Sequence, residues 1–157
     1  MLRGNNRRRL FARAGDYLTF IALMRRALTL TGCRLHAVAL LSNHVHLLIT
    51  PAKEVALPRF VKYVAQRYAQ IRNHRRGATG KLFEQRYLCV VVREPMQLAI
   101  ATAYVDLNGR RAGLAPKGTY YRWSTHALHA GQVGAARIPP RIWTPGEWYQ
   151  ALVIPPL

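Results

Sequence analysis

Apolar and polar positions along the chain divide it into a short series of elements. The first fifteen residues are basic (Arg3, Arg7, Arg8, Arg9, Arg13) and show no clear period. Asp16 then reads as the N-cap of a helix over Tyr17 to Thr31, with Gly32 placed to stop it. Leu35–Leu41 and His44–Thr50 read as two strands joined by a Ser42-Asn43 turn, and Pro51 ends the second. From Pro58 to His74 the residues Phe60, Val64, Tyr68 and Ile71 recur at helical spacing, which predicts a core-facing stripe. The other side of that helix carries Arg59, Lys62, Tyr63, Gln66, Gln70 and Asn73. Tyr87–Arg93 is valine-rich and strand-like. Glu94-Pro95 opens a third helix that reaches Asn108, where Gly109 is placed to end it. The predicted order is helix, strand, strand, helix, strand, helix. Beyond it lie Trp123, Trp143, Trp148 and several prolines, with one short helix expected over Ser124–Ala130 and then an extended tail. The organisation expected is a domain over 1–130 and a tail over 131–157, without internal repeats.

Composition narrows the partners. At 157 residues and 50% hydrophobic content, the chain is long enough for one domain with a real core. Its 24 Lys+Arg face 6 Asp+Glu, a formal charge of +18. So large an excess is costly in self-repulsion and points to a polyanion, because each neutralised phosphate releases condensed counterions. No apolar run approaches the roughly 18 residues of a spanning helix, and there is no secretory signal, so nucleic acid is favoured over a membrane. Cys33 and Cys89 form no CxxC pair and are expected as buried free thiols in a reducing cytoplasm. The Gly77-to-Lys81 stretch GATGK lacks the spacing of a phosphate-binding loop.

Two places carry candidate chemistry. In the strand around Ser42-Asn43-His44-Val45-His46, alternation puts His44 and His46 on one face, their Cα atoms roughly 6.5 Å apart, with Val45 on the other. Such a pair can chelate a divalent cation, or it can simply pack or hydrogen-bond. In the third helix Tyr104 and Asn108 are four residues apart and share a face. A phenol, with a reference pKa of about 10, is a poor nucleophile unless a metal polarises its target and the geometry is fixed. Asn108 offers a neutral oxygen as a third ligand. Of the other histidines, His36, His74, His126 and His129 are assigned to packing or DNA contact; His126 and His129, three apart, form only a minor candidate chelate.

Several ordered motifs resemble one family. Ser42-Asn43-His44-Val45-His46-Leu47-Leu48-Ile49 resembles the His-hydrophobe-His motif of the single-tyrosine HUH transposases, and the wider pattern is similar to their REP-associated tyrosine transposase branch. There the motif commonly reads P-N-H-x-H-L-L; Ser42 stands in place of the proline. The run Gly80 to Tyr87 resembles the family's G-x-L-(F/W)-x-x-R-(Y/F) segment. Tyr104-Val105-Asp106-Leu107-Asn108, with Arg111-Ala112-Gly113-Leu114 just after it, is similar to its Y-x-x-L-N-P-V-R-A-G-L signature, and Tyr121-Arg122-Trp123-Ser124 to a later Y-x-W-S element.

The resemblance implies an α+β, ferredoxin-like βαββαβ antiparallel sheet with helices on one face. It implies metal-dependent cleavage and rejoining of single-stranded or hairpin DNA through a covalent 5′-phosphotyrosine. On this chain Tyr104 would be the nucleophile, and His44, His46 and Asn108 would bind Mg²⁺ or Mn²⁺. The expected DNA-contacting set is Arg7, Arg8, Arg9, Arg59, Lys62, Tyr63, Arg72, Arg75, Arg76, Lys81, Arg86, Arg110 and Arg111. The expected setting is a bacterial cytoplasm, on the nucleoid when bound, with no membrane and as monomer or homodimer. The competing readings are a catalytically inactive nucleic-acid-binding remnant of the same fold and a replication initiator or relaxase. Two departures bear on them. Gly109-Arg110 replaces the family's Pro-Val. The segment Leu2 to Arg7 resembles the stretch just after the family's first strand, so that strand is expected to be cut short at Met1, through an upstream start or decay of the copy.

Overall fold

The structure is a computed structural model describing residues 1–84 and 86–139. Its fold is α+β, with a three-stranded antiparallel sheet in the order β1-β3-β2. The elements are β1 (Leu2–Arg3), α1 (Ala14–Thr31), β2 (Arg34–Leu40), β3 (His44–Thr50), α2 (Ala56–Arg76), α3 (Pro95–Arg111) and the short α4 (His126–His129), with single 3₁₀ turns at Asn5–Arg7 and Val133–Ala135. The tail residues 140–157, including Trp143 and Trp148, lie outside the described residues. Two compact units interleave along the chain. One comprises residues 1–34, 42–45 and 50–88; the other comprises residues 35–41, 46–49 and those from 89 onward.

The first unit is built around α1 and α2. α1 begins two residues before the predicted cap. Asp16 is therefore its third helical residue, and its Oδ2 accepts the backbone N–H groups of Ala12 (2.9 Å) and Arg13 (3.4 Å). This satisfies donors that a helix start leaves open. At the other end Gly32, with φ +68°, makes the left-handed turn that a side chain would strain. From α2, Phe60, Val64 and Tyr68 are buried as the spacing predicted; Ile71 is only half-buried. Aromatic rings fill the core, with Phe11 stacked on Tyr17 at 4.5 Å and Phe20 edge-on to both Phe11 (5.3 Å) and Tyr68 (5.1 Å). The Tyr68 hydroxyl donates to the Leu10 carbonyl at 2.7 Å, and burial, with the Asp16 carboxylate adding to it, pushes this phenol far above its ordinary pKa.

β1 is two residues long, with Leu2 paired to Val45 and Arg3 to His44, antiparallel. Beside it, the predicted fourth strand over Tyr87–Arg93 does not form. Instead Leu82, Glu84 and Leu88 bond along the N-terminus, where Glu84 N–H donates to Arg3 O, Asn5 N–H to Leu82 O, and Met1 and Leu88 exchange backbone bonds of 2.7 and 3.1 Å. Valine content gives strand propensity, but a strand also needs a ladder partner and a surface to pack against. Val90 and Val91 have neither, at 78% and 69% exposure. Cys89 is exposed as well, contrary to its expected burial, whereas Cys33 is buried; both are free thiols.

In the second unit, the small residues Ala37 and Ala39, with Leu41, form a buried cluster with Val105 of α3, and the half-buried Leu48 packs against it. The other edge of β2 is covered by an irregular segment: Leu40 N–H donates to Trp123 O, and Thr125 N–H to Val38 O. That pairing removes an edge otherwise open to other chains. α3 runs past its predicted end at Asn108 to Arg111. Gly109 lies inside the helix, buried where a Cβ would sit 2.3 Å from the Tyr121 ring. Its role is close approach, not termination.

Candidate active site

β3 delivers the histidine pair as alternation requires. Val45 is fully buried, while His44 and His46 on the other side are half-buried. The His44 Nδ1 lies 2.7 Å from the Asn43 Oδ1. Burial, and then the Arg3 and N-terminal charges, lower the His44 pKa below its ordinary 6.5. The ring is thus neutral near pH 7, the state in which imidazole ligates metals.

Within the second unit, His46 and Tyr104 meet edge to face, their ring centroids 5.5 Å apart at 83°. Tyr104 is 47% exposed, so its ring is held on one side and open on the other. The Arg111 guanidinium lies 5.5 Å from the centre of the same ring, within reach of cation–π attraction. One turn beyond Tyr104, Asn108 is buried and its Nδ2 donates to the Tyr104 carbonyl at 2.6 Å. That bond commits the amide nitrogen to the helix and leaves Oδ1 as the atom able to serve as a ligand. Tyr104 and Asn108 therefore share a helix face as the spacing predicted.

What the sequence reading missed is how α3 is held. Asp106, two residues from both Tyr104 and Asn108, is fully buried. One of its oxygens accepts the Thr125 hydroxyl at 2.8 Å and the other meets His129 Nδ1 at 2.5 Å. His129 Nε2 faces the His36 carbonyl at 3.0 Å. A carbonyl only accepts, so Nε2 is the atom placed to donate there, while Nδ1 faces the Asp106 carboxylate. The network ties the helix that carries Tyr104 to β2 and to α4. His129 is thereby engaged, and His126 is buried against Tyr120 at 4.9 Å, consistent with packing roles. The available signal was an aspartate inside a helix of a chain that has only 6 acidic residues.

The basic residues sort by exposure. Arg7, Arg8, Arg9, Arg59, Lys62, Arg75, Arg76, Lys81, Arg86 and Arg111 are exposed, and Tyr63 and Arg110 are half-buried. Arg72 is a correction. It is 3% exposed, donates to Leu10 O (2.9 Å) and Arg9 O (3.3 Å), and stands 3.8 Å from the Asp16 carboxylate, so its guanidinium binds the chain itself. Among the described residues no helix is long and apolar enough to cross a membrane.

In this α+β chain the histidine-bearing strand and the tyrosine-bearing helix thus meet ring to ring. Comparison with known proteins gives the family. The model for the IS200-like transposases matches residues 1–108, and the chain belongs to that family of DNA transposases. Its fold is similar to that of a solved REP-associated tyrosine transposase bound to a REP hairpin. The TM-score is 0.63 at 14% identity, covering 92% of this chain and 82% of the other. No curated protein matches.

Proposed function

We propose that this transposase cleaves and rejoins single-stranded DNA at hairpin-associated sites, with Tyr104 as nucleophile. The observation that carries the reading is the His46–Tyr104 contact, with Asn108 one turn further along the same helix. In the step proposed, the Tyr104 Oη–phosphorus bond forms as the bond from phosphorus to the 3′ oxygen breaks. The phenol loses its proton and the departing 3′ oxygen gains one. The product is a 5′-phosphotyrosine and a free 3′-hydroxyl, and attack by such a hydroxyl reverses the step. The phosphoester is conserved throughout, so no nucleotide hydrolysis is needed.

Among the described residues no group of three or more His, Cys, Asp or Glu stands ready to hold a metal. The donor set proposed is instead His44 and His46 with the Asn108 amide oxygen. It fits a divalent cation chemically: a neutral imidazole at His44 and a carboxamide whose nitrogen is already engaged. When bound, Mg²⁺ or Mn²⁺ would supply Lewis acidity at the scissile phosphate. Arg111, beside the Tyr104 ring, is suited to draw in that phosphate. The exposed arginines and lysines named above are proposed to contact the DNA backbone; Arg72 is left out because it is buried. The hairpin complex of the fold relative supports testing a hairpin substrate first.

The test is incubation of wild type and Tyr104→Phe with a single-stranded hairpin DNA and Mn²⁺, then denaturing electrophoresis. A covalent protein–DNA adduct in wild type alone is expected. Equal binding by both proteins with no adduct in either overturns the catalytic reading and leaves a nucleic-acid-binding protein.

A further inference from the structure

We propose that Asn43 is a positioning residue that fixes the orientation and tautomer of His44, so that Nε2 carries the lone pair offered to a divalent cation. The inference rests on the proposed metal role of His44. The Asn43 amide spans two partners: Nδ2 lies 3.4 Å from the Arg7 carbonyl and Oδ1 lies 2.7 Å from His44 Nδ1. The Arg7 carbonyl can only accept, so the amide must present its nitrogen there; flipping it would set two oxygens face to face. With that direction fixed, Oδ1 faces the ring, and an amide oxygen also only accepts. His44 Nδ1 therefore carries the hydrogen, and in the neutral ring Nε2 does not.

The support beneath Asn43 is stiff. Its own carbonyl accepts Gly4 N–H at 2.9 Å, and the preceding Ser42 carbonyl accepts both Leu10 N–H (2.8 Å) and Phe11 N–H (3.0 Å). On the next residue, β1 pairs Arg3 with His44. The turn between β2 and β3 is thus tied down by Gly4, Leu10 and Phe11, and the amide transmits that position to the imidazole. Metal-ligating histidines generally donate their second nitrogen to such an acceptor, which raises ligand basicity and removes ring-flip freedom. Here the acceptor comes from the adjacent residue.

The experiment uses the full chain, with two readouts that need no turnover. Long-range ¹H–¹⁵N correlation spectra of the metal-free protein at pH 8, where imidazoles are neutral, assign the tautomer. Wild-type His44 is expected as Nδ1–H, and Asn43→Ala is expected to shift it towards Nε2–H. Mn²⁺ titration monitored by electron paramagnetic resonance then reads affinity. Asn43→Ala is expected to weaken binding by about 10- to 100-fold, the usual cost of removing such a partner. Asn43→Asp, which keeps an accepting oxygen, should retain most of it. Thermal melts of each variant separate this effect from loss of fold. An Nε2–H tautomer in wild type overturns the proposal. So does Mn²⁺ affinity that is unchanged in Asn43→Ala yet lost in His44→Ala, a result that spares the metal reading. Wild type that binds Mn²⁺ no better than His44→Ala overturns the metal reading and this inference with it, even where the tautomer is as stated.

Discussion

Replacing Gly109 with alanine tests the packing of α3 directly. An alanine in a helix interior is favoured over glycine by about 1 kcal/mol, so propensity alone predicts stabilisation. The structure predicts the opposite. The added Cβ would stand 2.3 Å from Tyr121 Cγ and Cδ1 and 2.5 Å from its Cβ. Ordinary carbon contacts lie at about 3.5–4.0 Å, so ring or helix must move by roughly 1 Å. The ring has little freedom, being 5% exposed with its hydroxyl bonded to the Leu40 carbonyl at 2.8 Å. Overpacking of this kind costs about 1–3 kcal/mol, and a strained or lost hydrogen bond adds about 0.5–1.5 kcal/mol. Set against the propensity gain, the net loss is about 1–3 kcal/mol. Urea unfolding of the full chain, repeated in a Tyr121→Ala background, measures it. With the ring removed, the same substitution should become neutral or stabilising by up to about 1 kcal/mol. A stable Gly109→Ala protein, or an equal penalty in both backgrounds, would refute the argument.

Other outcomes come from the same structure. Asp106→Ala leaves the Thr125 hydroxyl and His129 without their buried partner, and should cost about 3–5 kcal/mol in denaturant unfolding; a loss below about 1 kcal/mol would contradict the network. Arg72→Met should destabilise the fold, because it strips donors from the Leu10 and Arg9 carbonyls and the partner from Asp16. It should leave the salt dependence of DNA binding unchanged, whereas Lys62→Ala should flatten that dependence. His44 gives a signed pH effect. Its folded pKa lies below the ordinary 6.5, so as pH falls from 6.5 the unfolded chain takes up a proton first and stability declines, until the folded ring protonates as well. The decline should disappear from unfolding curves of His44→Gln.

How far the sequence can be read depends on whether a feature is local. Alternation alone put His44 and His46 on one side of β3 and Val45 in the core, because a strand's side chains alternate whatever surrounds it. Helical spacing likewise put Tyr104 and Asn108 on one face and found the Phe60–Val64–Tyr68 stripe. The excess of arginine and lysine pointed to a polyanion before any contact was known.

Features that needed partners distant in sequence came only from the tertiary structure. Valines at 90–92 form no strand, because strand propensity needs a ladder partner and a surface to pack against, and Val90 and Val91 stay exposed. Arg72 looked like a phosphate contact until the Leu10 and Arg9 carbonyls closed over it. Gly109 looked like a helix stop until Tyr121 lay against it. Periodicity records which face a residue occupies; only the folded chain decides what that face meets.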